Sequence, residues 1–98
     1  MTAFNVVRFR VKPGMEQAFL DAHRDGKAAW PGLVRGSIIS TGGSGFVLIG
    51  EWPDQPTLAA ARQRMIETLN TFRDMLEDLG SGHGVTDAVA GEVTLTLT

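Results

Sequence analysis

The sequence predicts a single α+β domain spanning residues 1–98, with its elements in the order β-α-β-β-α-β. Four segments are rich in β-branched and aromatic residues or alternate apolar with polar positions, which is typical of strands. Two further segments repeat apolar residues at spacings of three and four, which is typical of helices with one buried face. Glycine and proline separate these segments, and a chain of this length makes one domain.

The first strand is predicted from Phe4 to Val11, where the Lys12–Gly14 turn ends it. The first helix is predicted from Met15 to about Lys27, and its apolar stripe consists of Met15, Ala18, Phe19 and Ala22. Pro31 ends this region because it disfavours helical backbone at Trp30.

The second and third strands are predicted from Leu33 to Thr41 and from Phe46 to Trp52. The glycine-rich stretch between them, residues 41–45, predicts a turn, so the two strands should form an antiparallel hairpin. Pro53 and the residues after it close the third strand.

The second helix is predicted from about Thr57 to Leu79, with Asp54 as its cap and Pro56 in its first turn. Gly80 is predicted to be the left-handed residue that ends it. The alternation that follows predicts a last strand, with Gly91 at a bulge or a close approach. The apolar residues of that strand are Val85, Val89, Val93, Leu95 and Leu97.

Right-handed crossovers place both helices on one face of the sheet and predict a ferredoxin-like arrangement with a four-stranded antiparallel sheet. In the first strand, Val7, Phe9 and Val11 face one side, while Phe4 and Val6 face the other. The third strand has the same two-sided pattern. Two helices cover only one face, so we expect a homodimer through the open sheet face. A monomer with exposed apolar surface, or a different partner, is the alternative.

Composition excludes several classes of function. The net charge of −2 argues against nucleic-acid binding. No apolar run approaches the roughly 20 residues that span a bilayer, and no signal-peptide pattern begins the chain, so we expect a cytoplasmic protein without a membrane partner. There is no Cys, and His23 and His83 are far apart, so neither a metal site nor a metal cofactor is expected.

Three motifs resemble the antibiotic-biosynthesis-monooxygenase-like (ABM) dimeric α/β-barrel superfamily. Residues 6–14 (VVRFRVKPG) are similar to its opening strand and Lys-Pro-Gly turn, and residues 30–32 (WPG) to the Pro-Gly before its second strand. Residues 46–52 (FVLIGEW) with Asp54 are similar to its third strand, which ends in an acidic residue and Trp. The resemblance implies a dimeric α/β barrel with a cavity between sheet and helices. It also implies activity as a cofactor-independent, quinone-forming oxygenase or as a heme-degrading oxygenase, two kinds of enzyme found in this superfamily.

The chain departs from both enzyme patterns. In quinone-forming members the strand Trp works with an Asn four residues earlier, a Tyr six later and an Arg about twenty later. Trp52 matches, but Leu48 and Leu58 occupy the Asn and Tyr positions, and Arg73 is a shifted match for the Arg. Heme-degrading members use a second Trp and a His on the second helix. These positions fall at Ala61 and near Thr71, so no heme cofactor is expected.

The resemblance and the residue types give a set of candidate catalytic residues: Trp52, Asn5, His23 and Arg73. Trp52 and Asn5 could orient a substrate, and His23 has a side chain suited to proton transfer near neutral pH. The alternatives are a core Trp, an amide satisfied by backbone, and a surface His. Arg73 follows from the resemblance alone.

Two further residues are candidates for binding a small hydrophobic ligand, Arg62 and Trp30. Arg62 lies at the flank of the helix stripe and could hold an anionic or enolate-like group. Its alternative role is a solvated Arg paired with Glu51 or Asp54.

Three functions remain open. The first is a cofactor-independent monooxygenase acting on a small aromatic or polyketide-like compound. The second is a non-catalytic dimer that binds a small molecule. The third is a dimer that docks another protein. A closed apolar cavity with two or more convergent polar side chains would support the enzyme, whereas a space filled by Leu, Met and Phe would exclude the first two functions.

Overall fold

The structure, a computed structural model, describes residues 1–24 and 29–98. Its strands are β1 (Ala3–Arg10), β2 (Arg35–Gly42), β3 (Gly45–Trp52) and β4 (Asp87–Glu92), and its α-helices in the described residues are α1 (Glu16–Asp21) and α2 (Gln55–Phe72). The strands form one sheet in the order β2-β3-β1-β4, with every neighbouring pair antiparallel. The predicted ferredoxin-like α+β fold is therefore confirmed.

The first helix is shorter than predicted. Helix α1 ends at Asp21, and its sole fully buried residue is Phe19. The last part of the predicted helix, residues 25–27, lies outside the described residues. Glu16 joins this helix to the β2–β3 hairpin, since its carboxylate accepts hydrogen bonds from the Gly14 N–H at 2.9 Å and the Ser44 hydroxyl at 2.7 Å.

The predicted end of the second helix at Leu79 is wrong. Helix α2 ends at Phe72, and a short 3₁₀ helix, Arg73–Met75, follows it. The chain then turns extended at Leu76, which forms a bridge with Val11 just beyond β1. Leu76 is buried by this pairing, so its apolar side chain reflects the packing of an extended segment and not of a helix.

Gly80 consequently does not end a helix. It has φ +78° in the loop after the extended segment, where its N–H donates to the Asp78 carboxylate at 2.6 Å. The cap at the other end of α2 agrees with the sequence. Asp54 accepts a hydrogen bond from the Thr57 N–H at 2.8 Å, and a proline lies in the first turn.

The last strand also ends earlier than predicted, at Glu92. Beyond it the Val93 N–H donates to the Thr2 carbonyl at 2.8 Å. Because β1 begins at Ala3, the following residues have no strand to pair with among residues 1–24 and 29–98, and Leu95 and Leu97 are exposed. The bulge predicted at Gly91 is absent, since this residue pairs in regular register with Phe4.

The core lies between the sheet and the helices. Buried side chains on the sheet side include Phe9, Phe46, Leu48 and Trp52; those from the helices include Phe19, Leu58, Ala61 and Phe72. The opposite sheet face carries Phe4, Val6, Val47 and Ile49, which are half-buried, with Ile39 and Val89 exposed. The sheet is thus apolar on both faces, as the residue pattern predicts. Neither described helix has the length and apolar character needed to cross a membrane.

A cleft between the second helix and the sheet

A cleft of about 360 Å³ lies between α2 and the β1–β4 side of the sheet. Helix α2 contributes apolar side chains to it, namely Leu58, Met65, Ile66 and Leu69. Strand β4 contributes small ones: Ala88 and Ala90 pair with Val7 and Asn5 of β1 and therefore face the helix. Larger residues at positions 88 and 90 would fill the cleft, so the two alanines keep it open.

Asn5 supplies a buried amide to the wall of the cleft. It is 6% exposed and is the one buried polar residue in the described part of the chain. Its Oδ1 accepts a hydrogen bond from the indole Nε1 of Trp52 at 2.8 Å. Its Nδ2 donates to the Met65 thioether at 3.7 Å. The amide is therefore held by side chains, not by backbone groups.

Trp52 lies behind Asn5. It is fully buried, is not among the residues that line the cleft, and uses its N–H for the hydrogen bond to Asn5. Stacking on a ligand is therefore not the role this position favours. Its contact with Asn5 makes it a residue that positions the amide.

His23 lines the cleft from the segment after α1. Its ring is half-buried, with centroids 4.7 Å from Phe19 and 4.4 Å from Phe72. Nδ1 lies 2.9 Å from the Phe19 carbonyl oxygen, and because that oxygen only accepts, Nδ1 carries the proton. Burial lowers the pKa of His23 below its ordinary value. The ring is therefore neutral near pH 7, with Nε2 as its basic nitrogen.

Trp30 and Arg62, the two candidates for ligand binding, both line the cleft. Trp30 is buried, and its Nε1 donates to the Thr68 hydroxyl at 3.0 Å. Arg62 is exposed on α2 at the rim. Within the described residues it forms no ion pair with Glu51 or Asp54, so it can meet an anionic group at the mouth of the cleft.

The structure does not bring Arg73 to this site. It lies at the start of the 3₁₀ helix, is exposed, and donates to the Asn70 side chain at 3.2 Å. His83 is also remote, 3.8 Å from Asp87 in the loop region before β4. Among residues 1–24 and 29–98, no three His, Asp or Glu side chains converge on a point that could hold a metal ion.

Sequence reasoning missed three features of the cleft. Gly50 lies opposite Asn5 in the β1–β3 pairing, and a Cβ there would overlap Asn5 Oδ1. The alternation of β3 contained the signal, because Gly50 falls between Leu48 and Trp52 on the helix-facing side. Met65 looked like an ordinary core position, and the sequence analysis assigned no role to the alanines of β4.

No family model and no curated protein matches the sequence. Solved structures do match. SnoaB, a cofactor-independent oxygenase from Streptomyces nogalater, superposes with a TM-score of 0.76 over 98% of this chain and 96% of that chain, at 18% identity. A Mycobacterium tuberculosis protein superposes with a TM-score of 0.74 over 100% of both chains, at 15% identity.

A Nitrosomonas europaea protein assigned to the antibiotic biosynthesis monooxygenases gives a TM-score of 0.75, at 19% identity, over 95% of this chain and 90% of that chain. The chain has the antibiotic biosynthesis monooxygenase fold. At identities this low, the likeness concerns the ABM fold and does not extend to the site. The cleft of this chain has its amide, Asn5, on β1, and Leu48 and Leu58 also line it.

Proposed function

We propose that the protein is a cofactor-independent monooxygenase that binds a small aromatic or polyketide-like compound in the cleft. The observation that carries this proposal is that a buried amide, Asn5, and a neutral histidine, His23, both line one mostly apolar cleft. An apolar pocket with a few placed polar groups is the usual form of a small-molecule site. The ABM fold of SnoaB, a cofactor-independent oxygenase, adds support.

The proposed reaction starts with proton transfer. Nε2 of His23 removes a proton from an acidic C–H of the substrate, leaving a carbanion whose charge is shared with a neighbouring oxygen. The Asn5 N–H and the Arg62 guanidinium stabilise that oxygen. The carbanion then reduces O₂ directly. For a CH₂ group that becomes a carbonyl, one oxygen atom enters the product and the other leaves as water, with the two hydrogens of the CH₂ group.

Oxygen consumption tests this proposal. Quinols, anthrones and flavonoids are first screened by thermal shift, and oxygen uptake is then measured with each compound that binds. We expect uptake with at least one binder, and a loss of about 100-fold in the His23→Gln variant, which removes the general base. Gln63→Ala, on the exposed face of α2, is the control and should retain full activity. Binding without uptake would contradict the oxygenase proposal.

A non-catalytic ligand-binding protein is the second candidate. Leu48 and Leu58 favour it, because they line the cleft where quinone-forming members carry Asn and Tyr. The same two-stage measurement separates the candidates, since this one predicts binding without oxygen consumption. Docking of another protein, the third hypothesis, has no specific contact that favours it.

We also propose that the protein works as a homodimer joined through the open sheet face, in the cytoplasm. Val6, Ile49 and Val89 form a row across β3, β1 and β4 on that face. Charges of both signs flank the row: Arg8 pairs with Asp87 at 3.1 Å, and Arg35 lies opposite Glu51. A second copy turned by a two-fold axis would present the same apolar row and complementary charges.

Sedimentation equilibrium tests the assembly. The wild type should sediment as a dimer, and Ile49→Lys should sediment as a monomer because it places an unpaired charge in the interface. Gln63→Lys introduces the same charge on α2, outside this face, and should remain dimeric. A monomeric wild type at tens of micromolar would contradict the proposal.

A further inference from the structure

The Asn5 side chain has two ends of opposite hydrogen-bonding character. Its Oδ1 accepts hydrogen bonds, whereas its Nδ2 amino group donates two. An amide that could rotate by a half turn would serve ligands of either character. The neighbours of Asn5 therefore decide which ligands the cleft can bind.

Trp52 fixes the orientation of this amide. The indole is fully buried, and its Nε1 lies 2.8 Å from Oδ1 of Asn5. An indole nitrogen only donates, so a flipped amide would set one N–H against another. The buried indole donor would then have no acceptor, which is strongly unfavourable.

Gly50 leaves room for the Asn5–Trp52 hydrogen bond. It lies directly opposite Asn5 in the β1–β3 pairing. A Cβ at this position would overlap Oδ1 of Asn5 and would lie 3.1 Å from Nε1 of Trp52. Any other residue would displace the amide, so glycine at this position lets the side chains of Asn5 and Trp52 lie close to the strand backbone.

The donating end of Asn5 faces the cleft. Nδ2 donates to the thioether of Met65, which lines the cleft from α2. A thioether is a weak acceptor. A ligand oxygen that reaches Nδ2 would therefore form a stronger hydrogen bond than the one it replaces.

We propose that the cleft selects ligands that present an acceptor oxygen, either a carbonyl or an enolate, to the Nδ2 group of Asn5. Trp52 and Gly50 are the positioning residues that impose this selection. The proposal rests on the proposed role of the cleft as a ligand site, and it assigns the polarity of the hydrogen bond made there. Ligands that offer only a donor, or no polar group, would leave this buried amide without a better partner.

Binding of two matched probes tests the selection. Anthrone carries a carbonyl, and 9,10-dihydroanthracene has the same three rings without it. Dissociation constants are measured by calorimetry in oxygen-free buffer, so that no turnover occurs. The wild type should bind anthrone about tenfold more tightly than dihydroanthracene, as one buried hydrogen bond allows. In Asn5→Leu this ratio should fall to about one.

Two variants test the positioning residues without touching Asn5. Trp52→Phe keeps a large ring but removes the N–H, and Gly50→Ala keeps the N–H but displaces Oδ1. Both should lower the anthrone preference about threefold or more, since the amide loses its fixed orientation. Gly91→Ala is the matched control, because its Cβ meets nothing within 4 Å, and it should retain the wild-type ratio. Should Trp52→Phe not fold, Gly50→Ala decides the question.

An Asn5→Leu protein that binds both probes with the wild-type ratio would overturn the proposal. So would a wild type that binds neither probe, or both equally. Selective anthrone binding without oxygen uptake would overturn the oxygenase proposal and leave this one standing. Oxygen uptake together with equal binding of the two probes would overturn this proposal and leave the oxygenase proposal standing.

Discussion

The two ends of β1 differ in how the space under the helices is used. At the Phe9 end, aromatic rings fill it: Phe9, Phe19 and Phe72 lie with centroids 5.2–5.8 Å apart. At the Asn5 end, Gly50 and Ala90 are its strand neighbours, and a cleft remains. Dense aromatic packing at the Phe9 end therefore stabilises a domain that keeps an open cleft at the Asn5 end.

The largest expected effect is at the filled end. Phe19→Ala removes a fully buried ring and should lower the free energy of unfolding by about 3–5 kcal/mol, because it creates a cavity. Urea denaturation measures this change. The loss is a large part of the stability of a small domain, so Phe19→Leu, at about 1.5 kcal/mol or less, provides a variant that folds.

Ile66→Ala provides the comparison at the cleft. Ile66 is 40% exposed at the rim, so its truncation should cost about 1 kcal/mol or less. Equal losses for Phe19→Ala and Ile66→Ala would mean that the two ends do not differ in packing.

The second prediction concerns the unfilled end. Ala88→Leu adds a large side chain on the cleft-facing side of β4, where there is room for it. We expect the affinity for anthrone to fall about tenfold or more, while the free energy of unfolding changes by about 0.5 kcal/mol or less. Calorimetry and urea denaturation measure the two quantities. Unchanged affinity would place the ligand outside this cleft.

The filled end could largely be predicted from the sequence, and the cleft could not. Phe9 and Phe19 follow the strand and helix periods, so their burial is a matter of local pattern. The end of α2 was mispredicted because Leu76 continues the helical spacing, whereas pairing with Val11 draws it into an extended segment. That pairing joins residues that are distant in the sequence, and the local spacing of apolar residues carries no information about such contacts.

The third prediction concerns α2, which borders both ends. Asp54→Ala removes the side chain that accepts from the Thr57 N–H and should lower the free energy of unfolding by about 1 kcal/mol. The ratio of anthrone to dihydroanthracene binding should stay unchanged, since both ends of the core keep their side chains. Asp54→Asn retains a cap and is the matched control. A change in the binding ratio would show that the start of the helix controls the cleft.

The sequence suggested candidate residues but not how they are arranged. Four of the candidates, Asn5, His23, Trp30 and Arg62, line the cleft. Residue type together with position in a strand or helix pattern suggested Asn5, His23 and Arg62. The hydrogen bond between Asn5 and Trp52 depends on the strand register and on the missing side chain of Gly50. Arg73 was proposed from a family spacing, and the early end of α2 places it elsewhere.

His23 lies between the two ends, packed against Phe19 and Phe72 and lining the cleft. Its protonation gives the smallest effect predicted for the stability of the domain. Burial lowers its pKa below the ordinary value of 6.5, so in acid the unfolded chain binds the proton more readily than the folded chain. The free energy of unfolding should therefore be highest above pH 6.5 and should fall as the pH drops below it.

Urea denaturation of the wild type and of His23→Gln between pH 5 and pH 7, roughly the range in which an unperturbed histidine titrates, isolates this contribution. In the variant, the free energy of unfolding should depend less steeply on pH, because the contribution of His23 is missing. Hydrogen bonds from Ser44 and Thr57 also lower the pKa of Glu16 and of Asp54. Because the ordinary pKa values of these two carboxyl groups are 4.5 and 3.8, the stability that they contribute is lost at lower pH. Parallel slopes for the two proteins would mean that the ring is as well hydrated in the folded state as in the unfolded one. A histidine hydrated to that extent would not be part of the packed core. Burial would then no longer lower its pKa, and Nε2 would lose the dry surroundings that keep it unprotonated and available as a base.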